Sequence, residues 1–256
     1  MSTVGRGRIV LWEGASLWAF DVPPGRGAPA TTRLHAHHAI QITLSAGGRF
    51  AIRTETGRAE GPLVLVAPDV SHAFEPEGGI ALLFVEPESR AGRALMHRMA
   101  GAPMTRLDGA LPEDVPTRLS GIWSDPRPDD GVIVALGQSV LEDLVGSTPS
   151  PRPLDPRIVR ALDWISPRLG GRITLAEAAA VACLSDDRFR HLFADEIGLP
   201  FRTYLLWRRL MLAVERTAAG SSLTAAAHEA GFADSAHLSR TFSRTFGLPA
   251  ASLELT

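Results

Sequence analysis

Near the N-terminus the run LHAHHAIQITL, Leu34–Leu44, places three histidines and a glutamine within a few residues. On an extended strand alternate residues share a face. His35, His37, Ala39, Gln41 and Thr43 then fall on one side, and Leu34, Ala36, His38, Ile40, Ile42 and Leu44 on the other. The mostly apolar side must pack against protein, so the His/Gln side faces either solvent or a barrel interior. His38 lies on the opposite face and outside this set. A second run, VLVAPDVSHAF, turns at Pro68-Asp69 and presents His72. Three neutral imidazoles and one amide oxygen suit one divalent transition ion, Zn, Ni, Co, Mn, Fe or Cu, without choosing among them. Gln41, unlike a carboxylate, brings no negative charge, so the set binds such an ion less tightly than one with an acid would. The same four residues also suit a metal-free pocket in which histidines hydrogen-bond an organic effector, or a strand face that only meets water. A catalyst would further need an open coordination position and a nearby acid or base. Glu75 and Glu77 follow His72 but stand in a Pro/Gly-rich stretch read as a loop, and no acid shares the His35/Gln41 face. A metal-dependent enzyme is therefore the weaker reading.

The C-terminal half holds a second kind of chemistry in duplicate. FRHLFADEIGLPFRTYL begins at Phe189 and LSRTFSRTFGLPAASLEL at Leu238, so Phe193 aligns with Phe242 and Gly198-Leu199-Pro200 with Gly247-Leu248-Pro249. Each copy has a small-residue helix (Leu175–Ala182; Leu223–Ala230), a tight turn, and a second helix with a single apolar stripe. Alanines permit close helix approach and the turn sets a steep crossing, which is helix-turn-helix construction for presenting a helix to a major groove. Off the stripe lie Asp187, Arg190 and His191 in the first copy, and Ser235, His237, Ser239 and Arg240 in the second. Arginine can pair bidentately with guanine, and Ser or His can reach base edges. Arg188, Arg202 and Arg244 are placed for phosphates, which position without specifying. Between the copies, 201–219 reads as one long helix. Its length approaches the separation of successive major-groove faces, so one chain could read two adjacent turns of DNA.

These residues need elements to hold them. Short apolar runs at 9–12, 16–22, 34–44, 50–53, 63–67 and 80–85 alternate with turn residues, including Pro23-Pro24-Gly25, Gly47-Gly48, Gly61-Pro62 and Gly78-Gly79. Such spacing predicts a small barrel or sandwich. Helical patterns follow near 89–100, 111–123 and 131–146, and then a linker, STPSPRPLDP, whose prolines keep it extended. The expected organisation is α+β in two domains. Residues 1–88 form a small β-barrel, 89–146 a helical segment for packing on it or for dimer contacts, 147–156 a Pro-rich linker, and 157–256 an all-α DNA-binding domain with two helix-turn-helix motifs.

With 45% apolar and 21% charged residues, the 256-residue chain can bury a core, which excludes wholesale disorder. All 26 cationic side chains are arginine, yet the net charge is −2, which excludes a polycation that coats nucleic acid nonspecifically. One cysteine, Cys183, excludes an intramolecular disulfide and a Cys-rich zinc module. No apolar run approaches a membrane span, and the N-terminal run IVLWEGASLWAF reads as a strand pair rather than a signal peptide, so a cytoplasmic protein is expected.

Residues 158–253 resemble the DNA-binding domain of the AraC/XylS family of transcription regulators. The matching residues are Ala179, Cys183-Leu184-Ser185, Leu192-Phe193, Ala227, Gly231-Phe232, His237-Leu238-Ser239-Arg240, Phe242, Phe246-Gly247 and Pro249. Cys183 stands where a turn glycine is usual, Pro249 comes one place early, and Leu253 replaces an aromatic. Asp187 occupies a base-contacting position of the first reading helix. His35, His37, Gln41 and His72 resemble the cupin pattern of H-x-H-x3-(E or Q) on one strand and P-x-x-x-H on another, with Gly48 and Gly61 at the intervening turns. Together the resemblances imply a one-component regulator whose cupin-like domain senses a small molecule or metal ion. Its implied partners are a double-stranded DNA operator, that effector and a second copy of itself, with no membrane.

Overall fold

The computed structural model describes residues 5–23, 31–109, 112–124, 129–146 and 152–255. Half of the expected linker, 147–151, lies outside them, as does most of the Pro23-Pro24-Gly25 turn. Packing divides the chain into two units. One is Met1–Pro151 together with Phe242–Thr256, and the other is Arg152–Thr241. The end of the expected 157–256 domain thus falls in the first unit.

The first unit holds strands β1 (Gly5–Trp12), β2 (Ala15–Val22), β3 (Ile40–Ser45), β4 (Arg49–Thr54), β5 (Arg58–Glu60), β6 (Leu63–Val66) and β7 (His72–Val85). Helix α1 (Arg90–Met99), strand β8 (Met104–Arg106), and helices α2 (Val115–Ser124) and α3 (Asp130–Val145) follow, and β9 (Leu253–Leu255) comes from the chain's end. The strands are hydrogen-bonded in the order β8-β6-β3-β7-β2-β1-β9, with β4 joining β7 to β5. All pairs are antiparallel except β1 with β9. β7 is the spine of this curled sheet. Its first part, His72–Glu77, pairs with β4, and from Gly78 onward it runs beside β2, with β3 along its other edge from Ile80.

That change of partner corrects the expected turn at Gly78-Gly79, which is a bend inside one strand. Gly78 has φ +74°, and a Cβ there would stand 2.9 Å from the Gly48 backbone, so glycine is needed both for the conformation and for the close approach. Glu75 and Glu77 consequently lie on a strand and not in a loop. They pair with Arg53, Arg58 and Arg49 along the β4–β5 hairpin.

Strand alternation sorts the side chains into two cores. Ile40, Ile42, Leu44, Leu63, Leu65, Leu83 and Val85 face Leu95 and Met99 of α1, Leu119 of α2, and Ile133, Val140 and Leu144 of α3. These positions of α1, α2 and α3 are thereby packed against the sheet, while Val132 on α3 is exposed. On the other face Phe50, Ile52, Val64, Val66, Phe74 and Ile80 close together. Each such fully buried side chain contributes about 1.5–3 kcal/mol. Ser89 and Asp129 cap α1 and α3 by accepting from Gly92 N and Gly131 N, which satisfies orphan donors of the first turn.

The second unit is helical: α4 (Pro156–Ile165), α5 (Leu175–Val181), α6 (Asp186–Ile197), α7 (Phe201–Ala218), α8 (Leu223–Glu229) and the start of α9 (Ser235–Phe246). Phe189, Phe193, Phe201 and Tyr204 fill its core against Ala178, Ala179 and Ala182 of the α5 region and Ile158 and Ala161 of α4. Thr174 and Glu177 form a reciprocal capping box at the start of α5. No helix among the described residues is long and apolar enough to cross a membrane.

Candidate metal centre and nucleic-acid interface

Regular strand begins only at Ile40, so ideal alternation does not run through residues 34–39. The three histidines are brought together by backbone pairing instead. His35 and His72 exchange both main-chain hydrogen bonds, His35 N to His72 O at 3.0 Å and His72 N to His35 O at 2.9 Å. Asp69 N, in the Pro68-Asp69 turn, donates to His37 O at 2.9 Å. Gln41 sits on β3 beside them. All four side chains are buried, and ring nitrogens of the three histidines lie within 4.8 Å of one another.

Hydrogen bonds settle which nitrogen carries the proton. Nδ1 of His35 donates to Arg33 O at 2.8 Å, Nδ1 of His37 to Ala39 O at 3.0 Å, and Nδ1 of His72 to Val70 O at 2.9 Å. A carbonyl oxygen only accepts, so in each neutral ring Nε2 keeps its lone pair. Gln41 Nε2 lies 3.0 Å from Thr43 Oγ1, a hydroxyl able to pair with either end of the amide. Gln41 Oε1 stands 3.1 Å from His37 Nε2 and 3.2 Å from His72 Nε2. In this orientation acceptors face acceptors. Such lone pairs repel unless a cation lies among them, a ring takes a second proton, or the amide turns over to donate to the rings while Thr43 donates to its oxygen.

The environment opposes the second proton. Burial, then the neighbouring His72 and His35, push the His37 pKa down to about 3. Burial and His72 push His35 down to about 4, and burial lowers His72 as well. A neutral, preoriented donor set whose Nδ1 protons are anchored on carbonyls is the second-sphere arrangement of metal-ligating histidines. The residues fit a divalent transition ion.

His38 meets the opposite surroundings. Its Nε2 is 3.2 Å from Glu88 Oε2, with both side chains buried, and its Nδ1 is 3.9 Å from Asp69 Oδ2. Burial alone would lower its pKa, but Asp69 and Glu88 outweigh burial and raise it to about 9.

Beside the histidine cluster lies a cavity of about 140 Å³. Trp18, Phe84, Phe242 and Phe246 dominate its wall, and His35, Gln41 and Thr32 supply polar atoms. Trp18 stacks edge-on to Phe84 at 5.0 Å and lies 4.9 Å from Phe246, while His37 is 5.1 Å from Phe84. Gly247 comes close to the cluster: its carbonyl accepts from Arg33 N at 2.8 Å, and a Cβ there would stand 2.5 Å from His35 Nδ1. Sequence reasoning missed these aromatic residues. Alternation marks Trp18 and Phe84 only as inward-facing, and Phe242 and Phe246 read as part of a helical stripe.

The duplicated unit is duplicated in geometry as well. Leu184 N donates to Ala179 O at 2.9 Å, and Phe232 N to Ala227 O at 2.9 Å, the same helix-ending bond in both copies. The turn residue is left-handed in each, Cys183 at φ +56° and Gly231 at φ +75°. Cys183 adopts there a conformation that costs a non-glycine residue about 1–2 kcal/mol. On α6, Asp187, Arg188, Arg190 and His191 are exposed. Asp187 is engaged locally: Arg190 reaches its Oδ1 at 3.1 Å, and His191 Nδ1 donates to its carbonyl at 2.8 Å. On α9, Arg240 and Arg244 are exposed, whereas Ser235, His237 and Ser239 are half-buried. The Ser239 hydroxyl donates to Ser235 O at 2.8 Å and the His237 ring packs on Phe232 at 5.2 Å.

Residues 178–254 match the helix-turn-helix domain family. No curated protein matches the chain significantly. Among solved structures it is similar to ToxT from Vibrio cholerae. An apo variant of ToxT superposes with TM-score 0.61 at 11% identity, over 94% of this chain and 96% of that one. ToxT bound to (E)-4-(8-methylnaphthalen-1-yl)but-3-enoic acid gives 0.57 at 10% identity, over 93% and 97%. The unsaturated fatty acid-bound wild type gives 0.54 at 12% identity, over 94% of each. At these identities the similarity is one of fold, and it spans both units.

Proposed function

We propose that this chain is a DNA-binding transcription regulator of the AraC family, with a sensor unit ahead of its helix-turn-helix domain, and that the sensor is a metal centre joined to an effector cavity. Nε2 of His37 and His72, a ring nitrogen of His35 and Oε1 of Gln41 hold one divalent transition ion. When bound, the ion supplies an electrophilic centre for an oxygen ligand. The chain's own residues do the rest: Arg33, Ala39 and Val70 carbonyls fix the tautomers, Thr43 hydrogen-bonds the amide, and the aromatic wall excludes water. The observation that carries this reading is the cluster of three buried imidazoles, with ring nitrogens within 4.8 Å of one another and each Nδ1 held on a carbonyl. Occupancy of the cavity then shifts the population between states that present the reading helices differently. ToxT, solved with an unsaturated fatty acid, supports an effector role for the corresponding fold.

Elemental mass spectrometry of the untagged protein tests the metal. Near-stoichiometric metal is expected in the wild type and none in His35→Ala/His72→Ala. A wild type that takes up no Zn, Ni, Co or Mn on incubation would leave a metal-free organic pocket in its place.

An enzyme is disfavoured by Glu75 and Glu77, the only acids that follow His72 closely, because their carboxylates pair with arginines on the hairpin and do not line the cavity. For DNA, Arg240 is the reading residue with the freest side chain on α9. Arg240→Ala is expected to weaken operator binding by about 1–3 kcal/mol, as for a lost bidentate guanine contact. Arg190→Ala should cost less, because Asp187 already holds that guanidinium. Gel-shift titration of both variants at one salt concentration checks the order, and an unchanged Arg240→Ala affinity would displace α9 from the groove.

A further inference from the structure

We propose that the effector is an anion with a compact apolar body: its charged head ligates the ion at the histidine cluster, and its body fills the aromatic cavity. The inference rests on the metal reading above and adds the chemical class of the ligand.

Charge is the first argument. Every donor of the set is neutral, three imidazoles held in their neutral form and one amide. A divalent ion on such donors keeps both positive charges in apolar surroundings, and an uncompensated buried charge costs several kcal/mol. No Asp or Glu lines the cavity among the described residues. The nearby acids are committed elsewhere, Glu88 to His38 and Glu75 and Glu77 to arginines. The compensating negative charge comes with a further ligand, a hydroxide or an organic anion, and the cavity decides in favour of the second.

The cavity supplies the second argument. Its 140 Å³ is close to an apolar cavity of about 150 Å³ that admits a single benzene ring, so the body is one ring or a chain of about six carbons. No arginine lines it among the described residues, so a carboxylate entering the metal-free cavity would be desolvated without a charged partner. The same wall therefore rejects organic acids when the ion is absent and admits them when it is present. This makes the sensor responsive only when metal and acid occur together.

Titration calorimetry on the full chain tests this, with cyclohexanecarboxylate and its uncharged counterpart cyclohexylmethanol as probes. Each is titrated into protein stripped with EDTA and into the same protein reloaded with zinc and freed of excess, its zinc content measured on the same sample. The carboxylate is expected to bind the zinc form at least about tenfold more tightly than the stripped form, while the alcohol changes by less than about twofold. Gln41→Glu, which brings the negative charge within the donor set, is expected to retain zinc and lose most of the carboxylate's preference. Equal carboxylate affinity for the two forms, no carboxylate binding to the zinc form, or an undiminished preference in Gln41→Glu would each overturn the proposal while leaving the metal centre standing. Failure of the wild type to hold zinc or any other of the candidate ions would overturn the metal reading itself.

Discussion

His37 and His38 are neighbours in the chain and opposites in ionisation. His37 is held near a pKa of about 3 among other histidines, an amide and aromatic rings. His38 is raised to about 9 between Glu88 and Asp69. Both are deeply buried, so burial does not distinguish them. The difference is in what each ring meets once water is removed. His37 donates to a carbonyl and turns its lone pair toward the Gln41 amide, and His38 has two carboxylates to neutralise. One segment thus offers a neutral donor on one side and a fixed cation on the other. The cation ties the segment to the Pro68-Asp69 turn and to Glu88 just after β7, so His38 is a clamp beside the site and no part of it.

The largest effect expected from breaking this contrast comes at Glu88. Glu88→Ala leaves a buried imidazolium with its closer partner gone, and should cost about 3–5 kcal/mol of unfolding free energy by denaturant titration. Replacing both partners, His38→Leu with Glu88→Leu, should cost much less than Glu88→Ala, because no unpaired charge remains. An equal cost would mean the pair matters for packing and not for charge.

The pH dependence of the metal-free protein should show the two histidine types pulling apart. His38 has a folded pKa above its ordinary 6.5, so its contribution is fully present below about 6.5 and is lost as pH rises through about 9. His35 and His37 have folded values below 6.5, so their contribution is present above about 6.5 and is lost as pH falls toward about 4 and 3. Stability should therefore peak near pH 6.5. His38→Gln should flatten the alkaline limb and leave the acid limb, and the reverse pattern in thermal or urea unfolding would refute the assignment.

Asp69→Asn should have the smallest effect, no more than about 1 kcal/mol, because that carboxylate is half exposed and 3.9 Å away. A loss as large as that of Glu88→Ala would make Asp69, and not Glu88, the partner that matters.

The helix-turn-helix pair was legible in the sequence down to its turns, because a helix and its cap are local: the repeat with Phe189 and Phe193 recurring as Leu238 and Phe242 needs only the period and the turn residues. The His35, His37, Gln41 and His72 set was legible for a related reason. Its spacing carries over even though 34–39 is not regular strand, since main-chain pairing with His72 replaces the missing alternation. Tertiary structure alone decided the rest. Gly78-Gly79 bends β7 where local pattern reads a turn, because only the close approach of Gly48 and the change of strand partner require continuity there. Glu88 lies fifty positions from His38, and the cavity wall draws Trp18, Phe84 and Phe246 from three distant parts of the chain. Periodicity reports which face of an element is apolar. Which charges and rings meet behind that face depends on packing between elements far apart in sequence, and local spacing holds no record of it.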